Sequence, residues 1–204
     1  MIEKIKIRNA ILQNKMYIFK KDISDPARFE SQFREIIDKD IFEWFDYDRE
    51  SELYTIWKEK SRIDGLNITL MGDLKNGRTI HSLIKILRLF NVHINLISPS
   101  SLKLPNEYLK HNDRESTQFL PYASVTDVLY VTRVQKERGS KEEYKLSLSE
   151  LNQLPKTALV LHPLPRRNEL PIAFDNDPRA KYFQQIKNGL LVRKALLRQF
   201  LEND

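Results

Sequence analysis

The stretch LMGDLKNGRTIHSL, Leu70 to Leu83, places Gly72, four further residues, then Gly77, Arg78 and Thr79. That is the spacing of a phosphate loop with Arg in place of the usual Lys. It follows an apolar run, GLNITL, and precedes an amphipathic run, TIHSLIKILRLF. A strand, a loop and a helix that opens on a basic residue suit an anion, because helix N-termini present unpaired N–H groups. The anion could be a nucleotide phosphate or a carboxylate, and this loop alone does not separate the two.

The surrounding elements decide where the loop would sit. Residues 66–72, 92–98, 126–132 and 156–162 (LNITLMG, VHINLIS, TDVLYVT, KTALVLH) read as buried strands. Between the first two, RTIHSLIKILRLF carries Ile80, Leu83, Ile84, Leu87 and Phe90 on one helical face. LPNEYLKH reads as a short helix, and DPRAKYFQQIKNGLLVRKALLRQFLEND as one long helix or two, interrupted at Gly189. Strands alternating with helices predict an α/β fold, a Rossmann-like parallel sheet with helices on both faces. In such a sheet the loops after the strands share one edge, the usual ligand edge. Those loops are GDLKNGRT, SPSSLKLP, TRVQKERGS and HPLPRRNE, and three of them bring Arg78, Arg133, Gln135, Arg138, His162 and Arg166. Arginine grips carboxylates through two parallel N–H bonds. Arg78, Arg133 and the amide of Gln135 therefore suit a small dicarboxylate better than a nucleotide triphosphate, which calls for Lys and a carboxylate-held Mg²⁺. For the third loop an alternative reading is that Arg133, Glu137 and Arg138 pair among themselves at the surface.

GDLKNGRTIHSL, DVLYVTRVQKER, HPLPRRNEL and DPRAKYFQQIKNGLLVRKALL closely resemble the aspartate-binding half of aspartate carbamoyltransferases, in the family's order and at similar spacing, over Leu53 to Leu201. The ornithine-specific relatives carry HCLP where Pro163 stands here. The resemblance implies that Arg78 holds the aspartate α-carboxylate and that Arg133 and Gln135 hold its side-chain carboxylate. It implies that Leu164 and Pro165 offer backbone carbonyls to the carbamoyl group, and that Glu137 and Arg138 order a loop closing on substrate. Asp73, Lys75, His162 and Arg166 take supporting roles, as does His81. No residue is assigned a covalent or proton-transfer role, and no cofactor is implied. Rate would come from positioning and from cationic stabilisation of an anionic transition state. The four histidines (His81, His93, His111, His162) show no metal-ligand spacing.

The carbamoyl phosphate half of the family is represented poorly. The family helix that starts with H-P-x-Q survives here only as its end, ESELYTI, and counting back puts Phe45, Asp46, Tyr47 and Asp48 at the motif. Asp46 and Asp48 would repel a phosphate dianion, by on the order of 4 kcal/mol for one pair at about 4 Å in an effective dielectric near 20. An S-T-R-T-R equivalent is absent, and about 50 residues are too few for a second α/β domain. The expected organisation is a divergent extension over residues 1–50 and an aspartate/ornithine carbamoyltransferase-like domain over 51–204. The segment between His111 and Thr126 reads as short for the family, with a helix trimmed.

Composition frames the remaining expectations. With 41% hydrophobic and 30% charged residues the chain has enough apolar surface for a core. It has no cysteine, which excludes disulfides and thiolate chemistry, and no run reaches the length of a membrane helix. The net charge of +6 is concentrated in residues 1–21, where Lys4, Lys6, Arg8, Lys15, Lys20 and Lys21 face only Glu3. That arm reads as a solvated strand pair, a hairpin around Gln13-Asn14, rather than as a nucleic-acid arm, since little aromatic interleaving accompanies it. It is Lys-rich and Ser-poor, unlike a mitochondrial presequence, so the expected compartment is the cytoplasm. Asp25 and Pro26 open a helix with Phe29, Phe33, Ile36 and Ile37 on one face. The expected partners are L-aspartate, a second chain carrying a carbamoyl phosphate site, and the other subunits of an oligomer or assembly, with no nucleic acid and no membrane. Two functions compete: a transferase half that is inactive alone, and a non-catalytic descendant acting as an aspartate-binding or structural subunit.

Overall fold

The computed structural model describes residues 50–134 and 144–202, with side chains described for 51–134 and 144–192. The hairpin around Gln13-Asn14 and the helix opened by Asp25-Pro26 lie outside the described residues. The chain divides into two compact units, Ile63–Gln185 and Met1–Arg62 with Ile186–Asp204. The first begins just before the Asp64-Gly65 turn, where Gly65 has φ of 75°.

Among the described residues of Ile63–Gln185, five parallel strands form one sheet. In chain order they are β1 (Asn67–Met71), β2 (His93–Ile97), β3 (Arg114–Ser116), β4 (Val128–Val131) and β5 (Leu159–Leu161). In space the order is β3-β2-β1-β4-β5, every neighbouring pair parallel. The chain steps outward from β1 to β3, then crosses back to lay β4 on the other side of β1. The reversal of direction lies between β1 and β4.

The strands are apolar without alternation because the inner ones are covered on both faces. All four residues of β4 and all three of β5 are buried. The polar exceptions satisfy one another. Thr126 Oγ1 donates to the Tyr122 carbonyl at 2.8 Å, so Thr69 Oγ1 donates to Thr126 at 2.7 Å and accepts from Asn95 Nδ2 at 3.3 Å. This one-way chain of donors ties β1, β2 and the entry to β4 together inside the core.

Helix α2 (Arg78–Leu87) follows β1 and buries Ile80, Leu83, Ile84, Ile86 and Leu87. Phe90 lies past its end and is half-buried. At its C-cap, Arg88 forks onto Asp113, one N–H at 2.6 Å. The short helix expected over LPNEYLKH is a single 3-10 turn, Asn106–Tyr108, because Pro105 starts it and no apolar face supports a longer one. Where a trimmed helix is expected between His111 and Thr126, the chain makes edge strand β3 and then a one-turn helix, α3 (Leu120–Ala123). Strand β3 escapes sequence reading because Arg-Glu-Ser has no apolar period, and an edge strand is held mainly by backbone pairing.

Helix α4 (Leu148–Leu151) opens on a reciprocal cap, with Ser147 accepting from the Glu150 N–H and the Glu150 carboxylate accepting from the Ser147 N–H. Its carbonyl end is met by the buried Arg179, which donates to Leu151 and Leu154 carbonyls at 2.9 and 3.1 Å and forks onto Asp177. The last helix, α5 (Tyr182–Glu202), is continuous through Gly189, contrary to the expected interruption. The other unit explains the glycine. There α1 (Glu50–Lys60) runs so close that a Cβ at Gly189 would lie 3.1 Å from Ser51 Cβ. Asn188 of α5 donates to Thr55 of α1 at 2.9 Å beside it. Glycine here serves close approach, and the neighbouring contacts offset its poor helix propensity.

Candidate functional site

The loops after β1 and β4 leave the sheet side by side at the point where strand order reverses, the usual ligand crevice of open α/β sheets. Gly72 makes this approach possible. Its φ is 116°, and a Cβ there would fall 2.2 Å from the Thr132 carbonyl oxygen. The Thr132 N–H in turn donates to the Met71 carbonyl at 2.8 Å.

From Gly72 the loop is folded by its own side chains. Asp73 is buried, and its Oδ1 accepts from the Asn76 backbone N–H at 2.9 Å and from the Asn76 amide at 3.1 Å. This closes an Asx-type turn ahead of α2. His81 Nε2 donates to the Leu74 carbonyl at 3.0 Å, and its ring stacks on Tyr108 with centroids 4.4 Å apart. His81 is therefore a brace for the loop. Gly77 precedes α2 without a side-chain cap, and the first turn of the helix has no acidic residue. Lys75 and Arg78 are both exposed beside this uncapped helix start. That combination favours an anion by both charge and hydrogen bonding.

After β4, Thr132 is buried, Arg133 is half-buried and Val134 is buried. Gln135, Glu137 and Arg138 lie outside the described residues. Arg133 thus leaves the strand next to β1, whose own loop carries Arg78.

The loop after β5 is held differently. The His162 backbone N–H donates to the buried Gln185 at 3.2 Å. The His162 ring accepts from the Leu164 N–H at Nδ1, 2.9 Å, and meets Glu169 Oε1 through Nε2 at 2.8 Å. Glu169 also accepts from the Arg167 N–H at 2.9 Å. Burial pushes the Glu169 carboxyl up, but the hydrogen bonds from His162 and from backbone N–H groups outweigh it and leave it below the usual carboxylate range. Leu164 has φ 44°, a left-handed conformation that branched residues rarely adopt, and is joined to Pro165 by a cis peptide bond.

Arg166 does not face outward as a free cation. It forks onto Asp175 and donates to Tyr182 Oη at 3.1 Å, while Tyr182 Oη donates to Asp175. The Arg166 guanidinium is the main reason the Asp175 carboxyl lies below its ordinary range, and burial with the Asp175 hydrogen bond pushes the Tyr182 hydroxyl well above its own. Asp73, Asn76, Glu169, Asp175, Tyr182 and Gln185 are what fix this edge, and sequence reading singled out only Asp73 among them. The acids Glu169 and Asp175 lie seven and nine residues beyond their partners, across irregular backbone that no helical or strand period spans. Among the described residues no cluster of three side chains could hold a metal ion, and no described helix is long and apolar enough to cross a membrane.

Comparison with known proteins agrees with this geometry. The family model for the aspartate/ornithine carbamoyltransferase Asp/Orn-binding domain matches residues 64–200. The aspartate carbamoyltransferase catalytic subunit of Leptospira biflexa is 46% identical over 159 residues, covering 72% of this chain and 51% of that protein. A catalytic subunit of M. jannaschii aspartate transcarbamoylase superposes with a TM-score of 0.71 at 37% identity, covering 78% of this chain and 56% of that one. The Trypanosoma cruzi aspartate transcarbamoylase, solved with aspartate and phosphate, superposes with a TM-score of 0.69 at 35% identity, covering 74% and 52%. The chain spans about half the length of the catalytic subunits it matches. The parallel sheet, the paired loops at its reversal point and the family match over 64–200 together make this chain a member of the aspartate/ornithine carbamoyltransferase family, carrying its Asp/Orn-binding domain.

Proposed function

We propose that this chain is the aspartate-binding half of an aspartate carbamoyltransferase and works with a carbamoyl phosphate site carried by a second chain. In that reaction the aspartate amine attacks the carbamoyl carbon. The new C–N bond forms, the C–O bond to phosphate breaks, the amine's proton passes to the departing phosphate, and N-carbamoyl-L-aspartate is released for pyrimidine biosynthesis. Arg78 takes the α-carboxylate, Arg133 and Gln135 the side-chain carboxylate, and the Leu164 and Pro165 carbonyls face the carbamoyl and amine groups. Asp73, Lys75, Glu137, Arg138, His162 and Arg166 support the loops.

The observation that carries this reading is the adjacency of the loops after β1 and β4, which start from paired strands and hold exposed Arg78 and half-buried Arg133. Two guanidinium groups on neighbouring loops suit the two carboxylates of one small molecule. The T. cruzi relative was solved with aspartate and phosphate, and also with N-(phosphonacetyl)-L-aspartic acid. Phe45, Asp46, Tyr47 and Asp48, at the positions of the family's H-P-x-Q motif, support the need for a second chain.

Calorimetry on the full chain tests the reading. L-aspartate binding that is lost in Arg133→Ala, with carbamoyl transfer appearing only after mixing with an isolated carbamoyl phosphate-binding domain, supports it. Aspartate binding without turnover on mixing moves the protein to a non-catalytic aspartate-binding subunit. No binding of aspartate or of the phosphonacetyl analogue leaves a structural subunit.

A further inference from the structure

We propose that Glu169 is a positioning residue that holds His162 as its neutral Nε2–H tautomer, so that the Nδ1 lone pair takes the Leu164 N–H and pins the Pro163–Leu164 peptide that leads into the Leu164 carbonyl. The inference concerns this chain's own geometry. Its link to catalysis rests on the reading above, in which that carbonyl faces the carbamoyl group.

The hydrogen bonds admit one protonation state. The Leu164 N–H can only donate, so Nδ1, at 2.9 Å, must be an unprotonated acceptor. Glu169 Oε1 already accepts from the Arg167 N–H, so Nε2, at 2.8 Å, is the donor of the second bond. An imidazolium, or the Nδ1–H tautomer, would point a proton at the Leu164 N–H. Both side chains are buried, at 0% and 5% exposure, so water does not replace a bond that is lost. Burial makes an unpaired donor costly and the assignment sharp.

The arrangement also explains how Leu164 keeps a φ of 44°. A branched residue holds that conformation only where its surroundings impose it. Here the ring of His162 grips the Leu164 N–H, Gln185 grips the His162 N–H, and Glu169 grips both the ring and the Arg167 N–H. The backbone N–H of Leu146 donates to the Glu169 carbonyl at 3.0 Å and anchors the acid itself. With both ring nitrogens engaged, His162 is no proton shuttle, and the loop acts through its backbone carbonyls.

The test is nitrogen NMR of the full-length protein at neutral pH. Wild type is expected to show a pyridine-type Nδ1 and a pyrrole-type Nε2 for His162, with a scalar coupling from the Leu164 amide proton to Nδ1. A protonated Nδ1 in the wild-type protein overturns the proposal, whatever the ligand results. Glu169→Ala is expected to mix the tautomers and speed Leu164 amide exchange by about tenfold, the loss of one charge-assisted bond. Glu169→Gln, which keeps an acceptor, is expected to stay within about threefold of wild type. Should Glu169→Ala fail to fold, the pair His162→Asn and His162→Gln decides. Asn can place an acceptor near Nδ1 and keep Leu164 protected, whereas Gln places its amide near Nε2 and does not. Equal protection in both variants overturns the proposal. The wild-type signature with no binding of the phosphonacetyl analogue leaves the lock standing and sinks the carbamoyltransferase reading instead.

Discussion

The loops after β1 and β5 share one edge of one sheet, and each carries basic residues, yet they use them in opposite ways. After β5, Arg166 is consumed by Asp175 and Tyr182, and His162 by Leu164 and Glu169. After β1, the structural bonds are made by Asp73, Asn76 and His81, which leaves Lys75 and Arg78 exposed. The difference separates a loop that presents its backbone from a loop that presents its charges. A motif letter does not say which role an arginine has; its partner does.

The largest effect is expected at Gly72, where the loop after β1 begins against Thr132 at the end of β4. Gly72→Ala sets a methyl 2.2 Å from the Thr132 oxygen at a φ of 116°, and should cost more than about 3 kcal/mol in chemical denaturation. A loss below about 1 kcal/mol would mean the β1 and β4 ends can part without harm. Next, Asp175→Ala strips the partner from Arg166 and Tyr182 together. It should lower stability by about 2 kcal/mol, with Arg166→Ala and the double variant no worse, as a double-mutant cycle would show. Arg78→Ala should instead leave stability within about 0.5 kcal/mol and weaken aspartate binding by roughly tenfold to a hundredfold in calorimetry. If Arg78→Ala unfolds the protein while Asp175→Ala does not, the contrast between the loops is reversed.

The smallest effect is on acid stability. Glu169 and Asp175 have folded carboxyls held below the usual range, by bonds that win over burial in the first and chiefly by Arg166 in the second. Their stabilisation is complete above the unfolded carboxylate range and is lost as pH falls through the depressed folded values. Urea midpoints should therefore decline below about pH 4. The decline should be shallower in Asp175→Asn, which has one such carboxylate fewer.

Much of this was legible in the chain itself. β1, β2, β4 and β5 announce themselves because covered parallel strands need mostly apolar runs, interrupted inside β1 and β2 by Thr69 and Asn95, and α2 because its buried positions recur with helical spacing. Four motifs in order were enough to point to the family before any coordinate. Strand β3, the one-turn helix α3 and the unbroken course of α5 through Gly189 were not legible. A polar edge strand is held by its neighbour's backbone, and a helical glycine is kept by the residue packed against it. Neither partner is visible locally.

The same division holds at the candidate site. Sequence alone determined which strands carry the polar loops and that those loops meet at one edge, because periodicity and strand direction are local properties. Only the tertiary structure decided which cations are spent and which are exposed. Arg166 finds Asp175 and Tyr182, His162 finds Glu169 and Leu164, and Arg78 stays exposed. Those outcomes depend on distances of a few ångströms between residues that no sequence period relates, and hydrogen bonding is decided at that scale.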